Sequence, residues 1–147
     1  MSSKPSETVV LAVDHAGFEL KAALKEQLSA MGYAILDLGT SGPEAVDYPD
    51  YANAAAKAMA EGLAARAVLS CGSGIGMSIV ANRHSGIRAA LCHEAEAARL
   101  SRQHNDANVL VLGARVIDPE TAKACVEAFF TTDFEAGRHV RRVEKLT

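Results

Sequence analysis

Val68-Leu69-Ser70-Cys71-Gly72-Ser73-Gly74-Ile75-Gly76-Met77 runs an apolar strand into a glycine-rich turn that is headed by a cysteine and followed by a helix. Such a turn aims several main-chain N–H groups at one point, so it can hold an anion there with a sulfur alongside. Cys71 stands at the end of a strand and before a helix N-terminus, a place where a helix's partial positive charge favours a thiolate. The spacing is G-x-G-x-G, not the G-x-G-x-x-G of a dinucleotide fingerprint, and no lysine follows as in a nucleoside triphosphate loop. A small anion is the guest that suits it.

Outward from this stretch, apolar runs rich in β-branched residues recur at 8–13, 33–38, 67–70, 87–91 and 108–112. Continuous apolar runs of that length read as strands covered on both faces, as in a parallel sheet. Helical signatures separate them. Leu20, Leu24, Leu28 and Met31 share one face before Gly32 stops the first helix, and an alanine-rich second helix spans 51–63 after Tyr48-Pro49-Asp50. The third helix starts inside the glycine turn and runs to Asn82, the fourth covers 93–103, and the fifth follows Asp118-Pro119, an N-cap with proline at the first helical position. A final helix is expected from Thr132-Asp133 onward.

The alternation predicts an α/β fold, a three-layer αβα sandwich on a five-stranded parallel sheet with an extra C-terminal helix. The expected strand order is 2-1-3-4-5, the flavodoxin-like arrangement. In such sheets ligands bind beyond the carboxyl ends of the strands where the order reverses, which gathers Asp14, His15, Cys71 and Ser73 into one crevice.

The 147 residues fit a single domain spanning 1–147, with 1–7 as a short flexible lead lacking the charged-then-apolar order of a secretory signal. Although 49% of the residues are hydrophobic, no stretch approaches the roughly 20 apolar residues of a membrane span, so no membrane partner is expected. A net charge of −3, no tryptophan and 5% aromatic residues leave little for a nucleic acid to bind. The three cysteines, Cys71, Cys92 and Cys125, have no paired spacing, which fits free thiols in a reducing, cytoplasmic compartment. Positive charge crowds into Arg138, His139, Arg141, Arg142 and Lys145, which read either as a solvated tail or as a phosphate grip. A zinc site from His15, His93, His104 and the cysteines lacks close-paired ligand spacing, so no metal is expected.

Taken together, Asp14-His15-Ala16-Gly17, Asp47-Tyr48-Pro49, Cys71-Gly72-Ser73-Gly74-Ile75-Gly76, Ser101-Arg102-Gln103-His104-Asn105-Asp106, Gly113-Ala114-Arg115 and Gly137-Arg138-His139 resemble the B-type ribose-5-phosphate isomerases. That family also includes allose- and galactose-phosphate isomerases, and the match spans nearly the whole chain in order. The resemblance implies a Rossmann-like aldose–ketose isomerase without metal or cofactor, working as a homodimer or a dimer of dimers. One branch of the family uses the cysteine before the glycines as its base and another a glutamate just after them. Cys71 and Met77 put this chain with the cysteine branch.

Residue by residue, the resemblance makes Cys71 the base, has His104 open the sugar ring with Asp14, and lets Ser73 move a proton between two oxygens. Main-chain groups of Gly72, Gly74, Ile75 and Gly76 would stabilise the enediolate. Arg138 and Arg142 would grip the phosphate, helped by Arg115, His15 and His139, while Asn105 and Tyr48 bind hydroxyls. The last helix has a thin apolar face of Phe134, Val140 and Val143, so a site shared between subunits is expected, with His104, Asn105 and Arg115 supplied by the neighbour. Ribose 5-phosphate is the implied substrate, and allose 6-phosphate or a tetrose phosphate would use the same chemistry. From another class, a non-catalytic nucleotide or phosphate sensor could keep the glycine turn without needing Cys71 or His104.

Overall fold

The computed structural model describes residues 7–146. Five strands are laid down as β1 (Thr8–Val13), β2 (Ala34–Asp37), β3 (Arg66–Cys71), β4 (Ala89–Leu91) and β5 (Val109–Gly113). Six α-helices join and follow them: α1 (Phe18–Ala30), α2 (Tyr48–Ala60), α3 (Ile75–Asn82), α4 (Ala95–Asn105), α5 (Pro119–Phe130) and α6 (His139–Glu144), with a 3-10 turn, His15–Gly17, leading into α1. All strand pairs are parallel, so each connecting helix runs back from the carboxyl edge of the sheet to its amino edge. The α/β sandwich and the parallel sheet are as the sequence predicts.

The strand order is 2-1-3-5-4, so the expected 2-1-3-4-5 is corrected at its last two places. Burial explains the exchange. Every residue of β5, Val-Leu-Val-Leu-Gly, is buried, whereas the three-residue Ala-Ala-Leu of β4 is only half-buried. The longer and more apolar strand takes the interior place, and the short one serves as an edge, which keeps the number of unpaired backbone groups there small.

Strand side chains alternate between two apolar layers. Val9, Leu11, Val13, Val68, Leu110 and Leu112 face Leu24, Leu28, Ala98, Ala122 and Phe129 of α1, α4 and α5. Val10, Ala12, Leu69, Cys71 and Val111 face Ala52, Ala55, Met77 and Ala81 of α2 and α3. The alanines of α2 let that helix lie close on the sheet.

Two boundaries differ for identifiable reasons. Helix α2 starts at Tyr48 because Pro49 falls in its first turn, where the missing N–H leaves nothing unpaired. The final helix does not begin at Thr132-Asp133. Thr131 and Thr132 instead turn their hydroxyls back onto Glu127 O and Ala128 O, both at 2.6 Å, and left-handed backbone at Ala136 and Gly137 delays α6 to His139.

Of the expected flexible lead, Glu7 is anchored by a carboxylate that accepts from Arg66 at 2.9 and 3.0 Å, and residues 1–6 lie outside the described residues. No helix among the described residues is long and apolar enough to cross a membrane.

Candidate active site

The carboxyl edge of the sheet is built by β1 and β3 as neighbours, with Val13 in register with Ser70. Asp14 follows β1 directly and is 4% exposed. Its Oδ1 accepts from the amides of Ala16 at 2.9 Å and Gly17 at 3.2 Å, while its own N–H donates to Ser70 O at 3.1 Å. Gly17 has to be glycine, because a Cβ there would lie 2.8 Å from Ser70 O.

Cys71 is the last residue of β3 and points to the layer of α2 and α3, in the same apolar cluster as Leu69 and Met77. At 4% exposure, Cys71 is almost wholly covered by the rest of its own chain. The turn beyond it is seated by contact on both sides. Gly74 has φ +80°, and a Cβ there would fall 2.5 Å from Leu91 Cδ1 and 3.1 Å from the Leu112 carbonyl carbon. A Cβ on Gly76 would fall 2.3 Å from the ring of Tyr48, so Tyr48 lies across the first turn of α3. Ser73 Oγ accepts from the Ile75 amide at 3.2 Å, so any charge held at this turn rests on its other main-chain donors.

Arg115 is on this same edge. Its amide donates to Gly72 O at 2.9 Å, and a Cβ on Gly72 would sit 3.5 Å from Arg115 Nη1. The expectation that Arg115 comes from the opposite side with His104 is therefore corrected: it is fixed to the cysteine turn by the β5–α5 loop of its own chain. Arg115 and His15 face each other across a cleft of about 520 Å³ between the starts of α1 and α5, with Pro43 at its rim.

The remaining candidates collect at the amino edge. His104 and Asn105 end α4, three residues before β5 begins. His104 stacks on His139 with ring centroids 4.5 Å apart and 15° between planes. Glu135 Oε1 stands 3.9 Å from His104 Nε2 and 3.6 Å from His139 Nε2, and the Glu135 amide donates to Gln103 O at 3.1 Å. Burial pushes the His139 pKa down, helped by His104, Arg138 and Arg142, and outweighs the opposing pull of Glu135. Arg138 and Arg142 are exposed on either side of His139. Arg102 is structural: its Nη1 donates to Asp106 Oδ1 at 3.0 Å and Ala107 O at 2.6 Å, locking the end of α4.

Ligand atoms of His104, Glu135 and His139 lie within 4.8 Å of one another. Parallel rings hold their lone pairs side by side instead of converging on one point, and two arginines flank them, so the group suits proton transfer beside an anion better than a cation. Sequence reasoning missed Glu135, whose available signal is its spacing four residues before His139. It also missed Val46, whose main-chain N–H donates to His15 Nδ1 at 3.1 Å.

The two groups cannot meet within one chain. Ala67 pairs with Val109 and Cys71 with Gly113, so Cys71 and His104 stand at opposite ends of β5, separated by at least the strand's rise of roughly 13 Å.

A sequence model described as Ribose/Galactose Isomerase matches residues 9–146. The chain is 45% identical to ribose-5-phosphate isomerase B of Escherichia coli, over 95% of this chain and 93% of that one. It is 40% identical to D-erythrulose-4-phosphate isomerase of Pectobacterium atrosepticum, over 95% of this chain and 92% of that one. The solved structure of a ribose 5-phosphate isomerase from Thermotoga maritima superposes with a TM-score of 0.91 at 47% identity, covering 95% of this chain and 97% of that one. With matches of this extent on the same five-stranded frame, the chain belongs to the ribose/galactose isomerase family.

Proposed function

We propose that this chain is a single-domain, cytoplasmic isomerase that interconverts ribose 5-phosphate and ribulose 5-phosphate in a site assembled between two copies of itself. The observation that carries the reading is the division of its chemistry. Asp14, His15, Tyr48, Cys71, Ser73 and Arg115 gather at one edge of the sheet, and His104, Asn105, Arg138, His139 and Arg142 at the other. A second copy that lays its amino edge against the first copy's carboxyl edge completes both sites by two-fold symmetry.

In that assembled site, His104 together with Asp14 carries the proton of the anomeric hydroxyl over to the ring oxygen, so the sugar opens and neither residue keeps a proton. Cys71 as thiolate then removes the proton next to the carbonyl, leaving an enediolate whose negative charge falls on oxygen. Main-chain donors of Gly72, Gly74 and Gly76 face that charge, each aimed donor contributing about 3 kcal/mol. Ser73 passes a proton from one oxygen to the other, and the Cys71 thiol returns its proton to the neighbouring carbon, which restores the base. Arg138, Arg142 and Arg115, with His15 and His139, hold the phosphate. Tyr48 and Asn105 receive the sugar hydroxyls. All three cysteines are free and buried, which fits a reducing compartment.

A coupled assay of the purified protein with pentose, hexose and tetrose phosphates tests the proposal, with turnover of ribose 5-phosphate expected to be fastest. A faster tetrose phosphate would favour a second reading, for which the erythrulose-phosphate isomerase relative speaks. Stabilisation by adenine nucleotides with no turnover of any sugar phosphate would overturn both in favour of a sensor.

A further inference from the structure

His15 is half-buried at the mouth of the cleft that it shares with Arg115, Glu19 and Pro43. The Val46 amide points at His15 Nδ1 from 3.1 Å. A main-chain N–H can only donate, so the ring nitrogen facing it has to be a bare acceptor. An imidazole whose Nδ1 accepts carries its hydrogen on Nε2 and, while that bond lasts, is uncharged.

The loop that delivers Val46 is tied at its other end too. Thr40 is buried, its amide donates to Val13 O at 2.9 Å, and its carbonyl accepts from Lys21 Nζ at 2.7 Å. Lys21 is in turn paired with Asp37 at 3.0 Å. Residues 41–45 thus hang between an anchor on β1 and a hydrogen bond to a ring in the site.

We propose that Val46 is a positioning residue that fixes His15 as an uncharged Nε2–H donor, through which the 40–46 loop sets how well the phosphate end of the substrate is held. A phosphate oxygen is the acceptor such a donor suits, and the charge of the phosphate is left to Arg115 and the arginines of the second copy. The substrate part rests on the isomerase reading above; the state of the ring does not.

The test uses the full chain with its histidines labelled with nitrogen-15, ligand-free, and two-bond proton–nitrogen correlation to read which ring nitrogen carries the hydrogen. Loss of a signal set in His15→Gln identifies His15. Wild type and Val46→Ala, which keeps the amide N–H, are expected to show a bare Nδ1 and a protonated Nε2. Val46→Pro, which has no N–H, is expected to show a mixture, with KM for ribose 5-phosphate raised about 3- to 10-fold and kcat within about twofold, the loss of one hydrogen bond's worth of preorganisation. Hydrogen on Nδ1 in the wild type overturns the proposal, and does so even if Val46→Pro fails to fold. An unchanged ring and unchanged KM in a folded Val46→Pro overturn it as well. A bare Nδ1 in a protein that turns over no sugar phosphate supports the lock on His15 and removes the isomerase reading alone.

Discussion

Removing the sulfur in Cys71→Ala is expected to lower kcat by about 10²- to 10⁴-fold, the usual worth of a positioned proton-transfer group. Because Cys71 is a small residue at the end of β3, the thermal midpoint should move little, and full activity in the folded variant would remove it as the base. Gly74→Ala makes the opposite kind of change. The backbone at Gly74 is left-handed and a side chain would press on Leu91 and Leu112, so a loss of about 1–3 kcal/mol is expected in urea unfolding. An unchanged midpoint would mean that the turn relaxes freely and is not a rigid seat. The placement of Cys71, Asp14 and the glycines was legible in the sequence because it follows from local backbone geometry. Glu135 and Val46 were not, since one is an exposed loop residue and the other acts through its main chain.

Helix α6 has six residues, too short to hold together by propensity alone. The stack of His139 on His104 and the bond from Glu135 to Gln103 fasten it to the end of α4. Its arginines therefore stand on a fixed base. The double variant Arg138→Ala with Arg142→Ala should raise KM for ribose 5-phosphate by about 10-fold or more, on the scale of charge-assisted hydrogen bonds. Turnover of the unphosphorylated sugar should change far less, and equal effects on both would remove these residues from phosphate binding. The position of α6 was misread because the apolar pattern near its start is thin, and threonine hydroxyls end α5 where a new helix was expected. The swap of β4 and β5 was invisible for a related reason: both runs are apolar, and only competition for the interior of the sheet separates them.

At the scale of the whole molecule, the two half-sites make a direct test of the shared arrangement. Cys71→Ala and His104→Ala should each be nearly inactive alone. Mixed, unfolded together and refolded, they should recover about a quarter of wild-type activity, because half of the random dimers are hybrids and each hybrid has one intact site of two. No recovery would mean that both residues serve one site within a chain, or that the site does not use both.

The sequence by itself determined the alternation of strands and helices, the glycine turn and the cysteine that heads it, since each depends on neighbours within a few positions. Only the tertiary structure decided the strand order, the side to which Arg115 belongs and the gathering of the candidate residues at two opposite edges of the sheet. Those depend on which strand wins the buried place and on the direction in which each helix returns, and packing settles both over distances that no local pattern spans.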